Sequence, residues 1–200
     1  MSKSDTTLAH PASHGHVDLE TKERQWKMAG LLFIGSDFVF VMALFFSYLY
    51  LRVLNVNHLW RPSYVHPAGA ISVIMVAALV VVSAGAYRWA VAGIRAGRQE
   101  QLRRGLALAL LFLVADIVVQ VYQMTAVQFG PQSGGFASSY FALAGYHVFH
   151  LCVGLLVGTG MLVRAMRAKF SAEHHMEVVV LGYFWYWIAI VAVAVALLPK

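Results

Sequence analysis

Cysteine occurs once in these 200 residues, as Cys152. That excludes an intramolecular disulfide and any multi-thiolate metal site, and a lone cysteine in an apolar run is expected to be a small buried residue. Charge is sparse as well. Asp, Glu, Lys and Arg make up 12% of the chain against 60% hydrophobic residues, with a mean hydropathy of +0.68. Soluble domains carry roughly 25% charged residues, so this composition excludes one. No connection between the apolar runs is expected to exceed about a dozen residues, which leaves no space for a soluble catalytic domain. Neither an internal repeat nor a matched pair of broken spans is visible, which argues against a secondary transporter. The first 25 residues are polar and lack the apolar core of a cleavable signal peptide. The first span is therefore expected to act as its own signal.

What is present is five long apolar runs, near 26–51, 67–92, 105–128, 138–163 and 178–198. Each has at least 20 residues, and about 20 helical residues cross a bilayer core. The expected fold class is all-α: a polytopic five-transmembrane-helix bundle over residues 26–200, after a flexible tail at 1–25. That tail holds His10, His14 and His16 in a Pro/Ser/Gly context, where a solvated segment is the default. Twelve of the fifteen Lys and Arg residues lie in the tail and around the second and fourth connections. Arg52, Arg61 and Lys200 lie on the opposite side. The positive-inside rule then predicts a cytoplasmic N-terminus and an outer C-terminus. The net charge of +6 is thus topological, and no nucleic-acid partner is expected. Trp60, Pro62 and Tyr64 predict that the first connection lies against the outer interface, and Trp26 and Trp89 predict a belt at the other side. Gly-Pro and Gly-Gly steps in 129–137 predict a tight turn that makes spans three and four antiparallel neighbours.

Polar groups inside the spans are few. Asp37 lies near the centre of the first span, where an acidic side chain costs about 2.5–3.5 kcal/mol on insertion scales. It is expected to be hydrogen-bonded within the bundle. Asp116, Gln120 and Gln123 fall within about 60° of one another on the third span and predict helix–helix hydrogen bonding. On the fourth, Tyr140, Leu143, His147, His150, Gly154 and Gly158 share one stripe, expected to face a single packing partner. Gly154 and Gly158 are spaced so that another backbone can approach. His147 and His150 are the only histidines in the spans, too few ligands for a metal site or a bis-histidine haem. Hydrogen bonding to Asp37 or to a lipid head group is the expected role. The last span carries Tyr183, Phe184, Trp185, Tyr186 and Trp187, an expected aromatic surface for a partner helix.

Together these motifs resemble subunit III of the haem–copper respiratory oxidases, over residues 27 to about 190. Ser36-Asp37-Phe-Val-Phe40, continuing through Phe46 and Tyr48 to Arg52, is similar to the family's Ser-Glu-x-x-x-Phe run ending in Tyr and Arg, with Asp37 in place of Glu. Gln120-Val-Tyr-Gln123 resembles its Gln-x-x-Glu. Ser139-Tyr-Phe141-Ala-Leu143-Ala-Gly145-Tyr-His147-Val-Phe-His150, then Gly154, is similar to Gly/Ser-x-Phe-x-Leu-x-Gly-x-His-x-x-His. The last span departs: where the family reads Tyr-Trp-His-Phe-Val-Asp, this chain has Phe184-Trp185-Tyr186-Trp187-Ile188-Ala189. Asp116 stands where the family has an apolar residue.

The resemblance implies a short, five-span bacterial type of the inner membrane, acting as a non-catalytic accessory subunit. No catalytic residue and no metal ligand is then assigned in this chain. Haems and copper belong to the partner subunit I, with subunit II beside it, and structural phospholipid is held by this chain. Asp37 becomes a buried carboxylate linked to proton uptake or lipid. His147, His150, Gln120, Gln123, Asp116 and Arg52 become interface or lipid-linked residues, and Gly154 and Gly158 packing positions. Two other readings stand beside it: a related accessory protein of a nitric oxide reductase, and a stand-alone proton-linked transporter using Asp37 and Asp116.

Overall fold

A computed structural model describes residues 19–55, 57, 60–66 and 68–198, apart from the Leu19 side chain. His10, His14, His16, Lys3 and Lys200 lie outside the described residues. All regular structure among the described residues is helical: α1 Leu19–Leu54, α2 Ala70–Arg95, α3 Gln99–Ala126, α4 Gly135–Met166 and α5 Met176–Ala196. Each is long and apolar enough to cross a membrane. Even the 21 residues of α5 extend about 32 Å at 1.5 Å per residue, which matches a hydrocarbon core of about 30 Å. The helix α1 begins at Leu19, well ahead of the expected span, so the last residues of the expected tail are helical. The connection 55–69 is longer than the dozen residues expected.

The helices α2, α3, α4 and α5 form a ring, with α2 packed on α3 and α5, and α4 on α3 and α5. Helix α1 leans against α4 and α5 from outside and makes no packing contact with α2 among the described residues. Most of its large apolar side chains, including Leu32, Val39 and Phe46, remain exposed. A helix apolar all round and unburied by its own chain belongs in lipid or against another membrane helix. The ring encloses the main core, centred on Tyr87, Leu106, Leu113, Leu151, Trp185 and Ile188.

Local chemistry explains the sharp turns. Gly97 closes α2 at φ +71°, with Gly97 N–H donating to the Ile94 carbonyl and Arg98 N–H to that of Gly93. This Schellman pairing satisfies the last carbonyls of α2 and reverses the chain into α3. A little further on, a Cβ at Gly105 would sit 2.6–2.8 Å from Ala90, so the absent side chain lets the two backbones touch. The turn before α4 passes through Gly134 at φ +128°, and α3 and α4 pack side by side as the Gly-rich turn predicts. In the connection 55–69, Trp60 is wedged edge-on between Tyr48 and Phe136, and its carbonyl accepts from Phe136 N–H at 2.8 Å. Trp60 therefore seals the end of the bundle, while Tyr64 stays exposed as an interfacial residue would. Trp26 and Trp89 are also half exposed.

Candidate functional site: two carboxylate–imidazole pairs on one helix

Positions three apart on a helix differ by about 60° in direction and 4.5 Å in height. His147 and His150 use that difference to face two different helices. His150 Nε2 meets Asp37 Oδ1 of α1 at 3.1 Å, and His147 Nε2 meets Asp116 Oδ2 of α3 at 3.1 Å. The expectation of one stripe against one partner is therefore corrected: α4 is the shared strut between two neighbours. All four side chains lie near the middle of their helices. The longest path to water, and so the highest desolvation penalty, is there.

The Asp37 carboxylate is well supplied with donors. Tyr146 O–H donates to Oδ2 at 2.5 Å and Trp187 Nε1–H to the same oxygen at 2.6 Å. His150 Nδ1 lies 2.8 Å from the Tyr146 carbonyl, which can only accept. Nδ1 must therefore carry a proton, and the remaining contact between Nε2 and Oδ1 needs one more. That proton rests on the ring or on the carboxyl, and in both cases the pair is neutral as a whole. A mid-membrane acid is thus accommodated without net charge. The Asp37 side chain is 11% exposed, and it lies in a shallow groove between α1 and α4 with Phe33, Phe40, Gly145, Phe149 and His150.

Asp116 is 0% exposed and has one partner: Oδ1 is buried without a hydrogen bond. Gln123 Nε2–H donates to the Ser72 carbonyl of α2 at 2.7 Å. Gln120, 6% exposed, forms no side-chain hydrogen bond to a described residue. The polar face of α3 thus binds α4 through Asp116 and α2 through Gln123. Arg52 is half-buried in the last turn of α1, with its charge near Tyr48; a cation there complements the helix dipole.

Three other expectations are corrected. Gly154 and Gly158 admit side chains rather than a backbone: a Cβ at Gly158 would lie 2.7 Å from the Trp185 ring and 2.8 Å from Leu110. The aromatic run of α5 packs on helices of its own chain, with Phe184 and Trp185 buried and Tyr183, Tyr186 and Trp187 half-buried. Trp185 stacks on Tyr87 at 4.6 Å and donates to Ser83 Oγ at 3.0 Å, and Ser83 O–H donates to the Ala109 carbonyl at 2.7 Å. This relay locks α5, α2 and α3 together. Cys152 is exposed on the outer face of α4 rather than buried. Trp187 and Tyr146 were not legible as Asp37 ligands, because an aromatic next to polar residues carries no sequence mark of its hydrogen-bond partner.

A bundle of membrane-spanning helices, with acids and imidazoles paired at mid-depth and no soluble domain among the described residues, defines a polytopic helical membrane protein. The chain belongs to the cytochrome c oxidase subunit III family, whose model matches residues 10–197. It is similar to cytochrome c oxidase subunit 3 of Pylaiella littoralis, 25% identical over 169 residues that cover 82% of this chain and 62% of that protein. The Lumbricus terrestris subunit 3 is 23% identical over 180 residues, covering 88% and 69%, and that of Locusta migratoria is 22% identical, covering 88% and 68%. The chain therefore spans about two thirds of the length of these relatives.

Proposed function

We propose that this chain is a non-catalytic accessory subunit of a bacterial haem–copper terminal oxidase, with its N-terminus in the cytoplasm. It packs beside the catalytic subunit I, and beside subunit II, in the inner membrane. It binds structural phospholipid and supports proton uptake and the durability of turnover. The observation that carries this reading is Asp37: an acid with several hydrogen-bond partners at the mid-point of α1, neutral as a pair with His150, beside a membrane-facing groove, in a chain of the subunit III family. The haems and copper are assigned to the partner. Both ring nitrogens of His150 are engaged, by Tyr146 and Asp37, and His147 Nε2 is held by Asp116, which supports a structural role for the two imidazoles. The exposed apolar face of α1 supports a partner helix or lipid there, and the Lys/Arg asymmetry supports the orientation.

The test is purification in mild detergent through a tag on this chain. Larger subunits with a haem–copper oxidase spectrum are expected to co-purify, and cytochrome c or quinol oxidation identifies the electron donor. Recovery of this chain alone, with proton-coupled transport in reconstituted vesicles, would overturn the reading. A partner that reduces nitric oxide but not oxygen would assign the chain to that enzyme instead.

A further inference from the structure

His147, the imidazole of the Asp116 pair, lines a half-open cavity of about 100 Å³ that is divided from the Asp37 groove by Tyr146, which lines both. All four helices of the ring contribute to its wall. It runs from Ala68 and Leu198, at the bundle end where α1 finishes and α2 starts, inward to His147. Much of the wall is valine and alanine, but one side is polar: Gln120, Gln123 and His147, with Tyr140 next to them. Gln120 is 6% exposed and its amide lacks a protein partner among the described residues, which leaves two donors and an acceptor unpaired beside this space. The Gln123 amide oxygen is left over from the bond to Ser72, and the Tyr140 hydroxyl is buried without a partner.

Buried polar groups in folded proteins are paired, and where the protein does not pair them an ordered water does. A water needs about 10–15 Å³ of such space and two to four polar partners. The cavity has room for several, and its polar side supplies the partners. An acyl chain would fit the valine side but would leave the Gln120 amide unpaired in hydrocarbon.

We propose that this cavity holds a cluster of ordered waters anchored on Gln120, Gln123 and His147, giving the Asp116–His147 pair a hydrated route to the α1–α2 end of the bundle. The two mid-membrane acids then meet different surroundings: Asp37 the membrane-facing groove, and Asp116, only through His147, a cluster of water. His147 stands at the inner end of the cavity, with Asp116 behind it. Tyr140 and Tyr146 line the same space from α4 and Tyr48 from α1, and no described charged side chain of α2 or α5 lines it.

The intact complex, imaged at a resolution that shows ordered water, decides the occupant. Discrete peaks within hydrogen-bond reach of the Gln120 amide and the His147 ring are expected. Continuous acyl-chain density, or an empty cavity, would overturn the proposal. A second readout turns on sign. In a hydrated cavity, Gln120→Leu strands waters and lowers the melting temperature of the complex by about 2–4 °C. In a dry one, it removes an unpaired amide and raises the melting temperature. A rise would therefore contradict hydration independently of the map.

Discussion

The two carboxylate–imidazole pairs have the same contact distance, 3.1 Å, and share one helix, yet they are built to opposite plans. Asp37 has three hydrogen-bond partners around it, sits at the rim of the bundle and is partly open to a groove. Asp116 has one donor and is wholly buried in the ring. Removing one of several partners from a rim acid leaves it still bonded. Removing the single partner of an enclosed acid leaves a naked charge or an unpaired acid in low dielectric. The interior pair should therefore govern whether the chain folds, and the rim pair what the folded chain does.

The sharpest way to break that comparison is His147→Leu. Losing one partner of a buried pair destabilises by about 3–5 kcal/mol. Little assembled subunit should then be recovered from membranes, measured by the yield of complex. The double variant His147→Leu/Asp116→Leu removes both polar groups and should recover most of that yield, since an apolar pair of similar volume is often neutral. His150→Leu is expected to be milder. Asp37 keeps the Tyr146 and Trp187 donors, so the loss should be about 1–2 kcal/mol in detergent unfolding, near the upper range of one intramembrane hydrogen bond. Trp187→Phe is the smallest change. It deletes one donor and should cost about 0.6–1.7 kcal/mol by the same assay. If His150→Leu proved as damaging as His147→Leu, the distinction between interior and rim would fail.

Hydropathy and helical period made much of this legible in the sequence. Five spans can be read directly, because a helix that must satisfy its own backbone in lipid has to be long and apolar. The stripe from Leu143 to Gly158 is also read correctly as buried. What periodicity does not encode is direction toward a neighbour. The roughly 60° between His147 and His150 is small on a helical wheel but large enough to choose between α1 and α3. Nor does it reveal that Trp185 fills the slot opened by Gly158, or that an aromatic run serves the chain's own core, since no polar residue breaks that run. The cavity beside Gln120 is a property of packing between four helices, and no single helix records it.

The departure in the last span has a physical counterpart. Asp37 is one methylene shorter than the glutamate of the family pattern, and Trp187 stands where that pattern has phenylalanine. Its indole N–H closes on the Asp37 carboxylate at 2.6 Å, a bond that phenylalanine cannot form.

Asp37→Asn is the most direct test of the central claim, because it keeps the shape and an acceptor oxygen but removes the shared proton. Turnover of the purified complex, followed from first cycles through to inactivation, is the measurement. The complex is expected to assemble at normal yield, with slower proton-coupled turnover and earlier loss of activity than wild type. Identical turnover and identical decay would contradict the account and leave Asp37 as a packing group.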